Sequence, residues 1–196
     1  MHVVVFGGAF DPLHNGHVDI VRFLCKQPEI DRLCMIPTGI PVHKKASFYS
    51  SHVRIKMLRT AFGAHPLIDI LDLEITKQQP SYTIDTVHQL CRIYEATSIS
   101  LVVGLDQCYQ FHRWRKYDQI LNQCNLWVVP RDGMNAKALT AAFPPELLAF
   151  KHRIQFLNLK PANISSTRVR MMIQQKASLD GVVPASIIQL LEKPYE

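Results

Sequence analysis

The chain has 196 residues, enough for one well-cored domain and short for two, and its 47% hydrophobic content excludes a disordered protein. A formal net charge of +6 admits polyanionic partners, yet the basic residues are scattered and lack the long stripe of a nucleic-acid groove binder. No apolar run reaches the ~20 residues that cross a bilayer, and the N-terminus lacks a signal-like pattern, so a cytoplasmic protein with no membrane or nucleic-acid partner is expected.

Residues 3–6 are a short apolar run, followed by Gly7-Gly8, an Asp11-Pro12 break and His14-Asn15-Gly16-His17. Val18, Val21, Leu24 and Cys25 then share one helical face, so the order is buried strand, tight loop, helix. A second strand at 32–36 is stopped by Pro37, and the loop after it carries Gly39, Pro41 and His43-Lys44-Lys45. Ser50 or Ser51 caps a helix with Val53, Met57, Leu58 and Ala61 inward. Residues 67–73 read as a third strand, and a polar break at 77–81 precedes a helix from about Thr83 with Ile84, Val87, Leu90 and Cys91 inward. The fourth strand, 99–103, ends at Gly104-Leu105-Asp106. An aromatic-rich segment, 109–117, leads to a fifth strand at 126–129. Residues 131–152 give no clear pattern. A sixth strand is expected at 154–157, a helix after Asn163–Thr167 with Val169, Met172 and Ile173 inward, and a last helix from Pro184-Ala185. Strands alternating with helices predict an α/β fold, a parallel sheet covered on both faces, in one domain spanning 1–196. The five cysteines, odd in number and without a CxxC pair, read as reduced structural thiols.

In an open α/β sheet, ligands bind where loops leave the carboxyl ends of strands. His14 and His17, three residues apart across a helix start, return to the same side and face one ligand at the positive end of the helix. Gly16 keeps that approach open. A metal site there lacks a nearby carboxylate or cysteine partner, and neither Walker A nor GxGxxG is present. Ser165-Ser166-Thr167 alone is a routine helix cap; with Arg170 one turn inward it becomes an anion site of hydroxyls, N–H groups and a guanidinium. Ser81-Tyr82-Thr83 opens another helix, whose N-terminus would favour a carboxylate over an amide.

Gly7-Gly8-Ala9-Phe10-Asp11-Pro12-Leu13-His14-Asn15-Gly16-His17 resembles the first signature of the HxGH nucleotidyltransferases, and Ile164-Ser165-Ser166-Thr167-Arg168-Val169-Arg170 resembles their ISSTxxR signature. Pro41-Val42-His43-Lys44, Ser81-Tyr82-Thr83-Ile84-Asp85-Thr86 and Gly104-Leu105-Asp106 followed by Trp114 extend the match along nearly the whole chain. The set is similar to the bacterial nicotinate-nucleotide adenylyltransferases. The departures are Ala9 where the family usually has Thr or Ser, Val42 for a second proline, and Tyr117 for a second tryptophan.

The resemblance implies a Rossmann-like doubly wound sheet and adenylyl transfer from ATP, with Mg²⁺ carried on the ATP, to nicotinate mononucleotide. It implies that His14, His17, Lys44 and Arg170 handle the phosphates, while Gly7, Gly8, Ala9, Phe10, Gly16, Gly104, Asp106, Ser165, Ser166 and Thr167 bind ATP. Ser81, Tyr82, Thr83 and Trp114 are expected at the acceptor, Trp114 stacking on the pyridine ring. Read without the family, Lys44 is a solvated lysine, Trp114 a core aromatic and Asp106 a helix cap. Pantetheine-phosphate adenylyltransferase has a similar first motif, but chain length, Ser81-Tyr82-Thr83 and Trp114 argue against it. A non-catalytic nucleotide-binding protein of the same fold is the other rival. The sequence leaves room for a homo-oligomer.

Overall fold

Val3, Val4, Val5 and Phe6 offer no polar side to water, and the structure buries all four. They form the centre of strand β1 (His2–Gly8), which pairs in parallel with β2 (Arg32–Pro37) on one side and β4 (Ser98–Gly104) on the other. A computed structural model describes residues 1–39, 47–77, 79–130 and 143–192; the expectations for Pro41, Val42, His43 and Lys44 lie outside these residues. With β3 (Ile68–Ile70), β5 (Cys124–Val129) and β6 (Ile154–Phe156), the strands make one parallel sheet in the order β3-β2-β1-β4-β5-β6. The winding direction reverses between β1 and β4, which opens a crevice at their carboxyl ends.

Strand alternation divides the core in two. Val3 and Val5 pack with Ile84, Val87, Leu90, Ile120 and Leu121, beneath α3 (Thr83–Tyr94) and α5 (Tyr117–Gln123). Val4 and Phe6 pack with Leu13, Val21, Leu24, Met57, Leu58 and Val169, beneath α1 (Asn15–Leu24), α2 (Ser51–Phe62) and α7 (Ser166–Gln174). Shorter helices α4 (Leu105–Tyr109), α6 (Pro145–Leu148) and α8 (Ile188–Leu191) complete the set among the described residues. None of these helices is long and apolar enough to cross a membrane.

Three expectations need correction. The third strand covers only three of its seven expected residues: as an edge strand β3 pairs with β2 alone, and the chain then turns as Thr76 N–H and hydroxyl both donate to Asp72 O. The last helix is a single turn preceded by a 3-10 turn at Ala185–Ile187. On α2, Met57 and Leu58 are buried as expected, but so is Arg54, which is 1% exposed. The cysteines are free thiols; burial pushes Cys34 up to about 11 and Cys108 and Cys124 to about 12, which leaves them unreactive.

Candidate active site

His14 is the residue that caps α1, and His17 lies in the helix's first turn. Their rings stack at 3.7 Å with 26° between the planes, so the spacing does bring both to one side. The His14 N–H donates to His17 Nδ1 (3.3 Å), which leaves the proton of a neutral His17 on Nε2. Phe10 backs the His17 ring edge-on at 5.1 Å. Gly16 is required by the same packing: a Cβ there would stand 2.9 Å from Ala162 O and 3.1 Å from the His14 ring.

Burial lowers the His14 pKa to about 4, against a smaller upward pull from its backbone hydrogen bond. His17 is also held well below 6.5, by burial first and by the neighbouring His14 second. Both imidazoles are therefore neutral at pH 7. Each offers one N–H to an anion and can take up a proton if a phosphate brings negative charge close.

The second motif meets the first across the chain. Arg170 Nη1 donates to Asp11 O (2.6 Å) and Nη2 to Thr167 Oγ1 (3.0 Å), while the Ser166 hydroxyl donates to Pro12 O (3.0 Å). Ser165 caps α7 by accepting from Arg168 N–H (3.2 Å); its hydroxyl hydrogen is still available. The Asp11 carboxylate in turn accepts from the N–H groups of Phe48 and Tyr49 (2.7 and 2.8 Å). Loop 9–14 is thus tied to both α2 and α7.

Gly7 and Ala9 are exposed at the end of β1, and Gly104 is exposed at the end of β4, where it caps α4 and where Asp106 opens the first turn. Phe6 faces Val102 across the pair, and each strand runs two residues further, to Gly8 and Gly104. These glycines flank the crevice. Phe10 is 1% exposed, with its ring packed on Phe6 and His17.

Tyr82 caps α3, with Ser81 before it and Thr83 in the first turn. The Arg115 guanidinium lies 4.4 Å over the Tyr82 ring, which joins this helix start to the segment carrying Trp114. Trp114 is half-buried and stacks obliquely on Phe111 at 4.6 Å, so one part of the indole is core and the rest is open. Two residues the sequence did not single out hold these parts together. Glu74, whose pKa burial raises, accepts from the Thr86 hydroxyl (2.9 Å) and from Gly39 N–H, and so fastens the first turn of α3 to the exit of β2. Gly39 has no room for a side chain, since a Cβ would overlap the Glu74 carbonyl. Arg54 donates to Ala9 O (2.8 Å) and Thr38 O (2.9 Å). A charged residue three and four positions before buried Met57 and Leu58 was the available signal for it.

The model of the cytidylyltransferase-like family matches residues 5–172, a span containing the second half of β1, the histidine pair, α3 and the Ser165–Arg170 motif. The chain belongs to the cytidylyltransferase-like family. Within that family, the “Probable nicotinate-nucleotide adenylyltransferase” of Fusobacterium nucleatum is 32% identical, over 100% of this chain and 99% of the relative. A protein of the same printed name from Clostridium acetobutylicum is 30% identical over 96% of this chain and 95% of its own. Among solved structures, Plasmodium falciparum nicotinic acid mononucleotide adenylyltransferase complexed with NaAD superimposes with a TM-score of 0.76. It covers 97% of this chain and 94% of its own at 14% identity, a likeness of fold.

Proposed function

We propose that this protein transfers the adenylyl group of ATP to nicotinate mononucleotide, forming deamido-NAD and pyrophosphate in NAD biosynthesis. The observation that carries the reading is the pair of neutral imidazoles stacked at the start of α1, beside the crevice and tied through loop 9–14 to Ser166 and Arg170. The relatives' names support the choice of acceptor. The reading treats residues 1–196 as one nucleotidyltransferase domain, acting in the cytoplasm on soluble nucleotides.

A phosphate oxygen of the mononucleotide attacks the α-phosphorus of ATP, the bond from that phosphorus to the bridging oxygen breaks, and pyrophosphate leaves. The nucleophile is already an anion, so no general base is needed. What the protein must supply is the alignment of two anions and stabilisation of charge at the α-phosphorus and the leaving group. His14 and His17 donate N–H to the phosphate oxygens. Gly7, Gly8, Ala9, Gly16 and the Phe10 backbone allow the chain to approach them closely. Arg170, with three of its five N–H groups uncommitted to the bonds described above, steadies the pyrophosphate together with the helix start at Ser165, Ser166 and Thr167. Lys44 is assigned the same task. Gly104 and Asp106 lie with the nucleotide. Mg²⁺ enters as part of the substrate, on the triphosphate with its own waters, and lowers the charge the two anions must overcome.

On the acceptor side, Ser81, Tyr82 and Thr83 place the N-terminus of α3 where a pyridine carboxylate is stabilised by unpaired N–H groups and the helix dipole. The open part of Trp114 supplies the stacking face. The test is pyrophosphate release with Mg-ATP and, separately, nicotinate mononucleotide, nicotinamide mononucleotide and phosphopantetheine. Preference for the first supports the reading; preference for phosphopantetheine, or no release with any acceptor, overturns it.

A further inference from the structure

Among the described residues Arg54 is the largest fully buried side chain, 1% exposed, and no carboxylate stands within ion-pair distance of it. Its acceptors are neutral: Ala9 O at 2.8 Å, Thr38 O at 2.9 Å and Ser51 Oγ at 3.2 Å, with Nε buried and unpartnered among the described residues. Burial works against its charge, and the nearby Asp11 carboxylate works for it. What it holds is the place where β1 and β2 leave the sheet. The Ala9 carbonyl is fixed toward Arg54, and in a planar trans peptide the following N–H points the opposite way. The Phe10 N–H therefore points away from Arg54, and it finds no acceptor among the described residues. The same polarity recurs further along. Arg170 holds Asp11 O, Ser166 holds Pro12 O, and the Leu13 N–H likewise has no acceptor among the described residues. In loop 9–14 the Ala9, Asp11 and Pro12 carbonyls are thus held by side chains, and the Phe10 and Leu13 amides point away from the held carbonyls.

We propose that Arg54 is a positioning residue for the triphosphate of ATP: it draws the Ala9 carbonyl inward so that the Phe10 N–H faces a phosphate. The inference rests on the ATP half of the function proposed above and not on the identity of the acceptor. It also explains how Ala9 is tolerated without a hydroxyl, since the donor in question is a backbone N–H.

The experiment compares wild type, Arg54→Lys and Arg54→Met by calorimetric binding of Mg²⁺ with α,β-methylene-ATP, without acceptor, alongside thermal unfolding and steady-state kinetics. Lysine keeps the charge but lacks the fork that spans two carbonyls. The expected result is analogue binding about 10-fold weaker in Arg54→Lys and about 100-fold weaker in Arg54→Met, on the scale by which misplaced groups cost catalysis. The KM for nicotinate mononucleotide should stay within about twofold, since binding energy is lost on the ATP side only. Folded variants that bind the analogue as wild type does overturn the proposal. Should both variants fail to fold, wild type labelled with ¹⁵N-phenylalanine decides: the Phe10 amide resonance shifts on addition of the analogue, and an unmoved resonance overturns the proposal. Wild type that binds the analogue but releases no pyrophosphate with nicotinate mononucleotide overturns the acceptor reading and leaves this one standing.

Discussion

Replacing Gly16 by alanine adds one methyl group at the most crowded point of the histidine pair. The new Cβ meets Ala162 O at 2.9 Å and the His14 ring at 3.1 Å, both closer than ordinary van der Waals contact. Which neighbour yields is decided by their anchors. The Ala162 carbonyl accepts from Ile164 N–H (2.8 Å), and the Ala162 N–H donates to Asp19 (2.9 Å), so that backbone is held at both ends. The His14 Nδ1 has no partner among the described residues, so the ring is what moves. Overpacking costs ~1–3 kcal/mol, and alanine recovers up to ~1 kcal/mol of helix propensity, so the net loss of stability is about 0–2 kcal/mol. Activity should suffer more, because turning one of the two stacked rings misplaces a group that the proposed function uses as a phosphate donor, and errors of ~1 Å at such a group cost about 100-fold. Urea unfolding and continuous pyrophosphate release measure the two effects separately. A Gly16→Ala protein with kcat/KM within about threefold of wild type would show that the His14 position is not what the glycine protects.

His14 also imposes a pH dependence on stability. Its folded pKa is about 4 against an ordinary 6.5, so between those values the unfolded chain binds a proton that the folded one does not, and stability falls as pH drops. Between pH 6.5 and 4 the loss from this residue reaches about 3 kcal/mol, and His14→Gln should flatten the curve by that amount; an unchanged slope in urea titrations refutes it. His17→Ala should lower kcat by ~10²–10³ while changing acceptor binding little, as expected for a donor that acts on developing charge, and an unaltered kcat removes the residue from that role. Trp114→Ala should raise the KM for nicotinate mononucleotide by about 5- to 150-fold, the equivalent of ~1–3 kcal/mol of stacking, with the KM for ATP unmoved; the reverse pattern in initial-rate kinetics contradicts the stacking assignment.

The sheet was readable because its strands are short apolar runs closed by breakers: Pro37, Gly104 and Pro130 each stand at or just after a strand end in the structure. Their order in space was not readable, since a parallel sheet is assembled by crossovers whose direction leaves no local mark. The third strand was overestimated for a related reason: five of the seven residues 67–73 are apolar, but only residues 68–70 stand in register with β2. In the site, His14, Gly16 and His17 were legible through spacing, as was the helix cap at Ser165. The two anchors that went unread, Arg54 and Glu74, act through backbone groups distant in the chain. Arg54 reaches Ala9 and Thr38, and Glu74 reaches Gly39 and Thr86. Their partners are main-chain atoms or a lone hydroxyl, which leave no motif.

The last strand of the sheet ends at Phe156, yet the first loop is not finished there. Asn15 is bonded to Gly181 and Val182, Tyr49 to Leu191, and loop 9–14 to Ser166 and Arg170. As the chain leaves the ribosome, every strand is therefore available before the residues that shape the histidine pair have been made. A nascent chain that has completed its sheet still lacks the contacts that fasten loop 9–14 and its neighbours, which form only once residues 166–191 have been made.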